Sequence, residues 1–348
     1  MDSKTITDFI LDHKRDKRAE FMITLFEKCN LSCAFCWQDH DDVSGMTTVR
    51  DKVSVLVNAA EDSPRQVMLY NLMGGELFAD DIFDATMYSD YMYLITETNR
   101  QVNAMGKTCE FTCCTNLIFE NVSYVQQLLD ELTDLGITIK FTTSYDFTGR
   151  FNAHTKRIFM RNLELFSSDI VNISVVLTAP NIVGMMKNTD LEFKQLYNAG
   201  YKIYMDHYSP EHNAKVMTPS DKQLYDVFCF LIDHYPDTFP VNDWLVNHTN
   251  QLSCNSCTMV LPSGQVKACS GVPDTHTVTF FKNPAQLDTS SMEMSFLQQM
   301  GCTSCEYFGR CSLGCFMLHY FKARDELDEC VYKMVFDKIV NDHHTKPV

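Results

Sequence analysis

The chain has 348 residues, of which 45% are hydrophobic and 21% charged, so it can bury a sizeable core and is not a disordered polymer. Its 29 Lys and Arg against 45 Asp and Glu leave a net charge of −16, which disfavours nucleic acid as a partner. No apolar run reaches the ~18 residues of a membrane span. The charged start, MDSKTITDFILDHKRDKRAE, lacks an apolar signal-peptide core, so a cytoplasmic protein with no membrane partner is expected.

Taken in chain order, strands are expected over Phe21–Glu27, Gln66–Met73, Cys109–Thr115, Ile137–Tyr145, Val171–Thr178 and Tyr201–Tyr208. Helices are expected between them. Thr48 to Ala60 carries the apolar stripe Val49, Val53, Leu56, Val57 and Ala60. Asp80 to Met105 is a longer candidate, and Asn121–Leu135 and Leu191–Ala199 end at Gly136 and Gly200, the usual helix-stop residue. Six strand–helix units in series predict a parallel sheet with right-handed crossovers, as an open sheet or a partial barrel. Beyond Tyr208 one more helix, Ser220–His234, precedes a Gly- and Cys-punctuated region with a hairpin signal at Ser263-Gly264. This divides the chain into an α/β core over 1–209, a connecting helix and linker over 210–245, and a Cys-rich domain over 246–348.

Fifteen cysteines in a chain expected to stay in a reducing compartment point to metal or catalysis before disulfides. They are clustered. Cys29, Cys33 and Cys36 follow the first strand, where parallel α/β folds carry their active sites. Spacing alone leaves two readings: a [4Fe–4S] cube with one open iron, or part of a zinc site with His40 as a further ligand. Cys109, Cys113, Cys114 and Cys229 are scattered, and eight more run from Cys254 to Cys330.

Cys29-x3-Cys33-x2-Cys36, with Phe35 before the last cysteine, resembles the signature of the radical S-adenosylmethionine (AdoMet) enzymes. Met73-Gly74-Gly75-Glu76 resembles the family's GGE segment at the end of the second strand. Thr115-Asn116 is similar to its TNG, with Leu117 in place of glycine, and Ser144-Tyr145-Asp146 to its SxDG, with Phe147 in place of glycine. The resemblance implies that Gly74, Gly75 and Glu76 cradle the methionyl group, and a side chain at Gly75 is expected to enter its space. It further implies cofactor contacts from Phe35, Trp37, Asn116 and Ser144. Arg150, in Gly149-Arg150-Phe151, is either a guanidinium for the AdoMet carboxylate or a solvated loop residue.

The C-terminal set reads Cys254-x2-Cys257, Cys269, Cys302-x2-Cys305-x5-Cys311-x3-Cys315, then Cys330, with nine residues between Cys254 and Gly264 and four between Gly264 and Cys269. This resembles the SPASM extension of radical AdoMet enzymes. The resemblance implies a partial (β/α)6 TIM-type barrel followed by a small Cys-rich domain. It also implies three [4Fe–4S] clusters, one holding AdoMet and two auxiliary. The first auxiliary cluster would take Cys254, Cys257, Cys269 and Cys315; the second would take Cys302, Cys305, Cys311 and Cys330. Two structural zinc sites are the alternative for the same eight thiols.

The activity so implied is reductive cleavage of AdoMet to a 5′-deoxyadenosyl radical, hydrogen abstraction, and oxidative modification of a substrate. A ribosomal peptide is the first expectation. The segment before the first strand is expected to be too short for a leader-binding domain, so a separate recognition protein or a leaderless peptide is implied. The alternative is a small-molecule dehydrogenase or epimerase acting on a sugar, aminocyclitol or nucleoside; a non-catalytic iron–sulfur protein comes last. The acidic balance would suit a cationic substrate, and a flavodoxin or ferredoxin is the expected electron donor. Cys114, Asp206 and Tyr208 are the candidate catalytic residues, Cys114 as a hydrogen-returning thiol in the epimerase case. Sulfatase-maturating relatives carry an Asp after the cysteine matching Cys269; Ser270 stands here, which argues against formylglycine formation.

Overall fold

The structure is a computed structural model and describes residues 18–36, 38–208, 216–247, 257–267, 278–279, 297–298, 300–308 and 330–344. Six strands, β1 (Arg18–Thr24), β2 (Val67–Met73), β3 (Thr108–Cys114), β4 (Ile139–Ser144), β5 (Val171–Leu177) and β6 (Ile203–His207), pair in parallel. They lie in the order β6-β5-β4-β3-β2-β1, with no reversal. Sequential parallel order with right-handed crossovers sends every connecting helix to the same face of the sheet. Burial alternates to match. Phe21, Ile23, Tyr70, Leu72, Phe111, Cys113, Phe141 and Ile173 are buried, while Glu20, Met22, Asn71, Thr112 and Thr142 on the other face are only partly so.

The helices between these strands are α1 (Lys52–Asp62), α2 (Ala85–Ala104), α3 (Val122–Asp134), α4 (Ala153–Ile170), α5 (Ala179–Met186) and α6 (Leu191–Asn198). Gly136 and Gly200 lie just past α3 and α6 with φ of 75° and 81°, as the sequence predicts. Three elements depart from expectation. The first strand starts at Arg18, three residues before Phe21, and its regular part ends at Thr24. Helices α4 and α5 have no counterpart among the helices expected from periodicity; α4 begins at a capping box between Asn152 and Thr155, and α5 at a Thr178 cap.

Beyond β6, α7 (Asp221–His234) starts at a second capping box, Ser220 with Gln223. It packs against the last helix, α8 (Val331–His344). Trp244, 1% exposed in a π-helical turn over Asp243–Asn247, sits between Phe228 of α7 and Tyr332 and Phe336 of α8. The strand β7 (Cys257–Val260) joins the edge of the sheet parallel to β1, with Met22 opposite Met259. A turn at Ser263-Gly264, with Gly264 at φ 79°, leads into antiparallel β8 (Gln265–Lys267), and β9 (Val278–Thr279) completes nine strands. The hairpin therefore continues the α/β sheet.

Lys52 fixes the hairpin to α1. Its side chain is 4% exposed, and its ammonium donates to the carbonyls of Leu261, at 3.4 Å, and Pro262. Gly45 completes the junction, since a Cβ there would lie 2.2 Å from the Leu25 carbonyl oxygen and 3.1 Å from Pro262. Replacing Lys52 by Met orphans both carbonyls, so Lys52→Met is expected to cost about 1–3 kcal/mol in urea unfolding. An unchanged midpoint would show that the ammonium does not hold the hairpin.

Candidate functional site

The candidate site is built from the loops at the C-terminal ends of β1 to β4, the end where parallel sheets carry their ligands. Between Leu25 and Lys28 the chain continues the ladder irregularly. Leu25 N–H donates to Met73 O at 2.8 Å, Gly75 N–H to Phe26 O at 3.1 Å, and Glu76 N–H to Lys28 O at 3.0 Å. The loop bearing the three cysteines is thus locked to the loop bearing Gly74, Gly75 and Glu76. It is closed on itself by Cys29 N–H to His40 O at 2.9 Å and Cys36 N–H to Cys33 O at 3.0 Å.

This geometry places a demand on the glycines that the sequence does not show. A Cβ at Gly75 would lie 2.0 Å from Lys28 O and 2.2 Å from Glu27 O; at Gly74 it would lie 2.9 Å from Leu77. The space that a Gly75 side chain would enter is filled by the cysteine loop's own backbone, not by a methionyl pocket. Glycine is required there because two loops approach closely.

Glu76 points inward and is 0% exposed. Its Oε1 accepts from Thr115 Oγ1 at 2.7 Å and Phe78 N–H at 3.0 Å, and its Oε2 from Asn116 N–H. Burial pushes its carboxyl up to about 7, against the opposing pull of those hydrogen bonds and of the Arg150 charge. Asn116 in turn donates through Nδ2 to Asn30 Oδ1 at 2.7 Å and toward Cys29 Sγ at 3.8 Å. Leu31 N–H donates to the same sulfur at 3.4 Å. Leu117 adopts φ 55°, the conformation glycine favours, and is held by its N–H to Thr115 Oγ1 at 3.1 Å and by Asn162 on its carbonyl at 3.0 Å.

After β4, Ser144 is half-buried beside Ser174, and Asp146 is buried, accepting Thr148 N–H at 2.6 Å. Phe147 lies against α5, where a Cβ on Gly184 would come 2.6 Å from its own. Arg150 brings a positive charge that opposes the upward push of burial on Cys33, Glu76 and Asp146. Its Nε is buried without a hydrogen-bond partner, as is Gln38 Nε2 two residues past Cys36.

These residues fit an anionic cofactor at a three-thiolate centre. Burial pushes the Cys29 thiol up to about 12, although the Leu31 N–H pulls the other way. The free thiol is therefore protonated at neutral pH, and a thiolate there would need a cation or cluster to stabilise it. Among the described residues no three His, Cys, Asp or Glu side chains are grouped tightly enough for a single ion. His40, considered as a zinc ligand, contributes its carbonyl to the loop closure.

The remaining expected residues separate by face. Cys114 is half-buried on the helix-free face, donating to Asn71 Oδ1 at 3.3 Å, while Cys113 points into the core. Burial pushes Cys114 up to about 12, with Asn71 opposing and Asp206, Glu76 and Glu20 adding to the rise. Asp206 shares that face and accepts from Ser174 Oγ. Tyr208, just past β6, is 4% exposed. Phe35 is half-buried in the cysteine loop. Cys302, Cys305 and Cys330 approach one another: burial first, then Cys330 and Cys305, push Cys302 up to about 12. Cys257 lies in β7, whereas Trp37, Cys254, Cys269, Ser270, Cys311 and Cys315 lie outside the described residues. Asn30, Gln38, Asn71 and Ser174 carry no motif signal and emerge only from the fold.

Solved structures share this fold. The chain is similar to native anSMEcpe with bound AdoMet: TM-score 0.65, 16% identity, covering 94% of this chain and 100% of that one. The same protein with bound AdoMet and the Kp18Cys peptide gives 0.65 at 15% identity, over 94% and 99%. SuiB from Streptococcus suis gives 0.54 at 14% identity, over 90% and 77%. No family model and no curated protein matches the sequence. The chain has the fold of the radical AdoMet enzymes.

Two predictions follow from the loop junction. Gly75→Ala is expected to displace the cysteine loop, so iron uptake after anaerobic reconstitution and AdoMet binding fall together; full iron content would refute the close approach. Glu76 ionises near 4.5 when unconstrained and near about 7 when folded. The folded state therefore binds more protons over that window, and stability falls as pH rises through it. Urea unfolding at several pH values should show this loss in the wild type, relative to a flatter Glu76→Gln profile.

Proposed function

We propose that this protein is a radical AdoMet enzyme with a SPASM-type extension that oxidatively modifies a peptide. The observation that carries the reading is the three-cysteine loop locked against the Gly75-Glu76 loop, with the Arg150 charge acting on Cys33 and Glu76. In this reading the sheet curves into a partial barrel over 1–209, and 246–348 form the Cys-rich domain. Cys29, Cys33 and Cys36 hold a [4Fe–4S] cluster that, with AdoMet bound, supplies the 5′-deoxyadenosyl radical for hydrogen abstraction.

The chain's own residues orient and exclude. Arg150 Nε, buried and unpartnered, would donate to the AdoMet carboxylate, and Ser144 would be a further contact. Gln38 offers a second buried donor. Glu76 acts one step back: its carboxylate ties the β2 and β3 ends together and thereby sets Asn116 against Asn30 and Cys29. Phe35 and Trp37 cover the cofactor. Cys302, Cys305 and Cys330, with Cys311, hold one auxiliary cluster; Cys254, Cys257, Cys269 and Cys315 hold the other.

A peptide substrate is favoured because a protein of the same fold was solved with AdoMet and a peptide together. Ser270, where sulfatase-maturating enzymes have Asp, argues against formylglycine as the product. Anaerobically reconstituted protein is expected to hold about twelve irons with matching sulfide. Replacing Cys29, Cys33 and Cys36 together by Ala should remove about four of them and abolish 5′-deoxyadenosine formation under dithionite. Bound zinc without sulfide would overturn the assignment. Arg150→Gln should weaken AdoMet binding by about tenfold or more in calorimetry, with iron content retained.

A further inference from the structure

The helix-free face of the sheet is unusual in being polar near its C-terminal end. Strand alternation sends Glu20, Met22 and Thr24 of β1, Asn71 of β2, Thr112 and Cys114 of β3, Thr142 and Ser144 of β4, Ser174 of β5 and Asp206 of β6 to it. The pairing register makes this a continuous patch. Asn71 lies opposite Met22 and Thr112, Cys114 opposite Thr142, and Ser144 opposite Ser174.

Its charge is one-sided. Arg18 and Lys140 are the basic side chains that the six strands put on this face. Arg18, at the N-terminal end, is paired with Glu110 at 3.3 Å, and Lys140 is exposed in the row of Asn71 and Thr112. Asp206 stands nearer the C-terminal end, opposite Val176, and its charge and that of Glu20 both act on the Cys114 thiol. Asp206 is exposed to solvent, with Ser174 Oγ–H as its hydrogen-bond donor. Hydroxyl donation satisfies one carboxylate oxygen and leaves its charge uncompensated. An independent feature also points to a ligand: the Thr24 hydroxyl, on the same face at the end of β1, is 0% exposed and has no hydrogen-bond partner.

We infer that Asp206, oriented by Ser174, is a specificity-determining anchor for a cationic group of the substrate, an ammonium or guanidinium such as that of a lysine or arginine side chain. The inference rests on the proposed radical AdoMet reading, which sets the reacting atom at the mouth of this face. A charge-assisted hydrogen bond between a carboxylate and an ammonium is strong where solvent is restricted. An uncharged side chain of equal length would leave Asp206 desolvated without recompense. Asn71 and Cys114 line the face between the anchor and β1, where the substrate backbone or its reacting carbon would lie.

The test uses cluster-loaded protein saturated with AdoMet and three small probes: N-acetyl-lysine amide, N-acetyl-norleucine amide and N-acetyl-glutamate amide. Binding is followed by saturation-transfer NMR at millimolar probe. Wild type is expected to bind the lysine probe about tenfold more tightly than the norleucine probe. Asp206→Asn, which keeps shape and fold, should erase that preference, and Asp206→Lys should transfer it to the glutamate probe. Equal binding of lysine and norleucine by wild type, or an undiminished lysine preference in Asp206→Asn, would overturn the inference. AdoMet binding to the same samples is measured by calorimetry. Its absence in wild type would sink the radical AdoMet reading, whereas normal AdoMet binding without a lysine preference sinks the cation anchor alone.

Discussion

The close approach of two loops, at Gly75 over Glu27 and Lys28, is the constraint on which the site depends. Without a Cβ at Gly75, the backbones after β1 and β2 hydrogen-bond past the regular end of the ladder, so the first strand's order is exported into the loop that carries Cys29. Glu76 then passes that order sideways to β3. A fully buried carboxylate is costly, and this one is retained because two backbone N–H groups and a hydroxyl converge on it. The arrangement is a three-strand brace: β1 to β2 through backbone, β2 to β3 through Glu76, and β3 back to β1 through Asn116, Asn30 and Cys29. A cysteine loop left to itself would sample many geometries, whereas this one has its first thiol fixed from two directions before any metal arrives.

The same sheet solves a different problem on each face. Toward the helices it buries Phe21, Tyr70, Phe111 and Phe141, and their packing supplies the stability that lets the other face carry polar groups. Asn71, Cys114, Ser174 and Asp206 contribute little to cohesion there. Polar residues kept on a sheet face that could have been apolar are evidence of use, because each carries a desolvation cost that folding alone does not reward. The C-terminal hairpin extends the division, adding β7 beside β1 and docking its turn on Lys52, so Cys257 is referenced to the same sheet as the early cysteines.

Much of this was legible in the sequence, for identifiable reasons. The strands β2 to β6 announce themselves by β-rich runs between turn residues, and their sequential order follows from the strand–helix rhythm. The cysteine spacing singled out the Cys29–Cys36 loop, which the fold sets beside the Glu76 loop. What sequence could not convey was which partner each motif residue meets. That Gly75 also lies against the Lys28 carbonyl could not be read, because that neighbour is far away in the chain. Helix α4 escaped notice since its apolar positions, Ile158, Phe159, Leu163 and Phe166, are diluted by charged and polar neighbours, and its start is written in a capping pair instead. Asn71 and Ser174 sit in ordinary strands, and only the register brings them to Cys114 and Asp206.

The two departures from the expected motifs are the most instructive residues, because each keeps the geometry while changing the side chain. Leu117 stands where glycine is usual and still takes φ 55°, a conformation that costs a non-glycine residue roughly 1–2 kcal/mol. Three things offset it: the hydrogen bond to Thr115 Oγ1, the Asn162 amide on its carbonyl, and complete burial of the leucine side chain. Burying a leucine is worth a comparable ~1.5–3 kcal/mol, so the backbone turn survives the loss of its glycine. At Phe147 the compensation lies elsewhere in the chain. The aromatic ring packs on Tyr145 and Phe193, and the room for its Cβ comes from Gly184 on α5. The glycine missing from the loop has in effect moved to the helix facing it, and the loop still delivers Arg150 to the cysteines. Motif letters are therefore a poor guide to whether a site is intact; the backbone path and the contacts that enforce it are the better test.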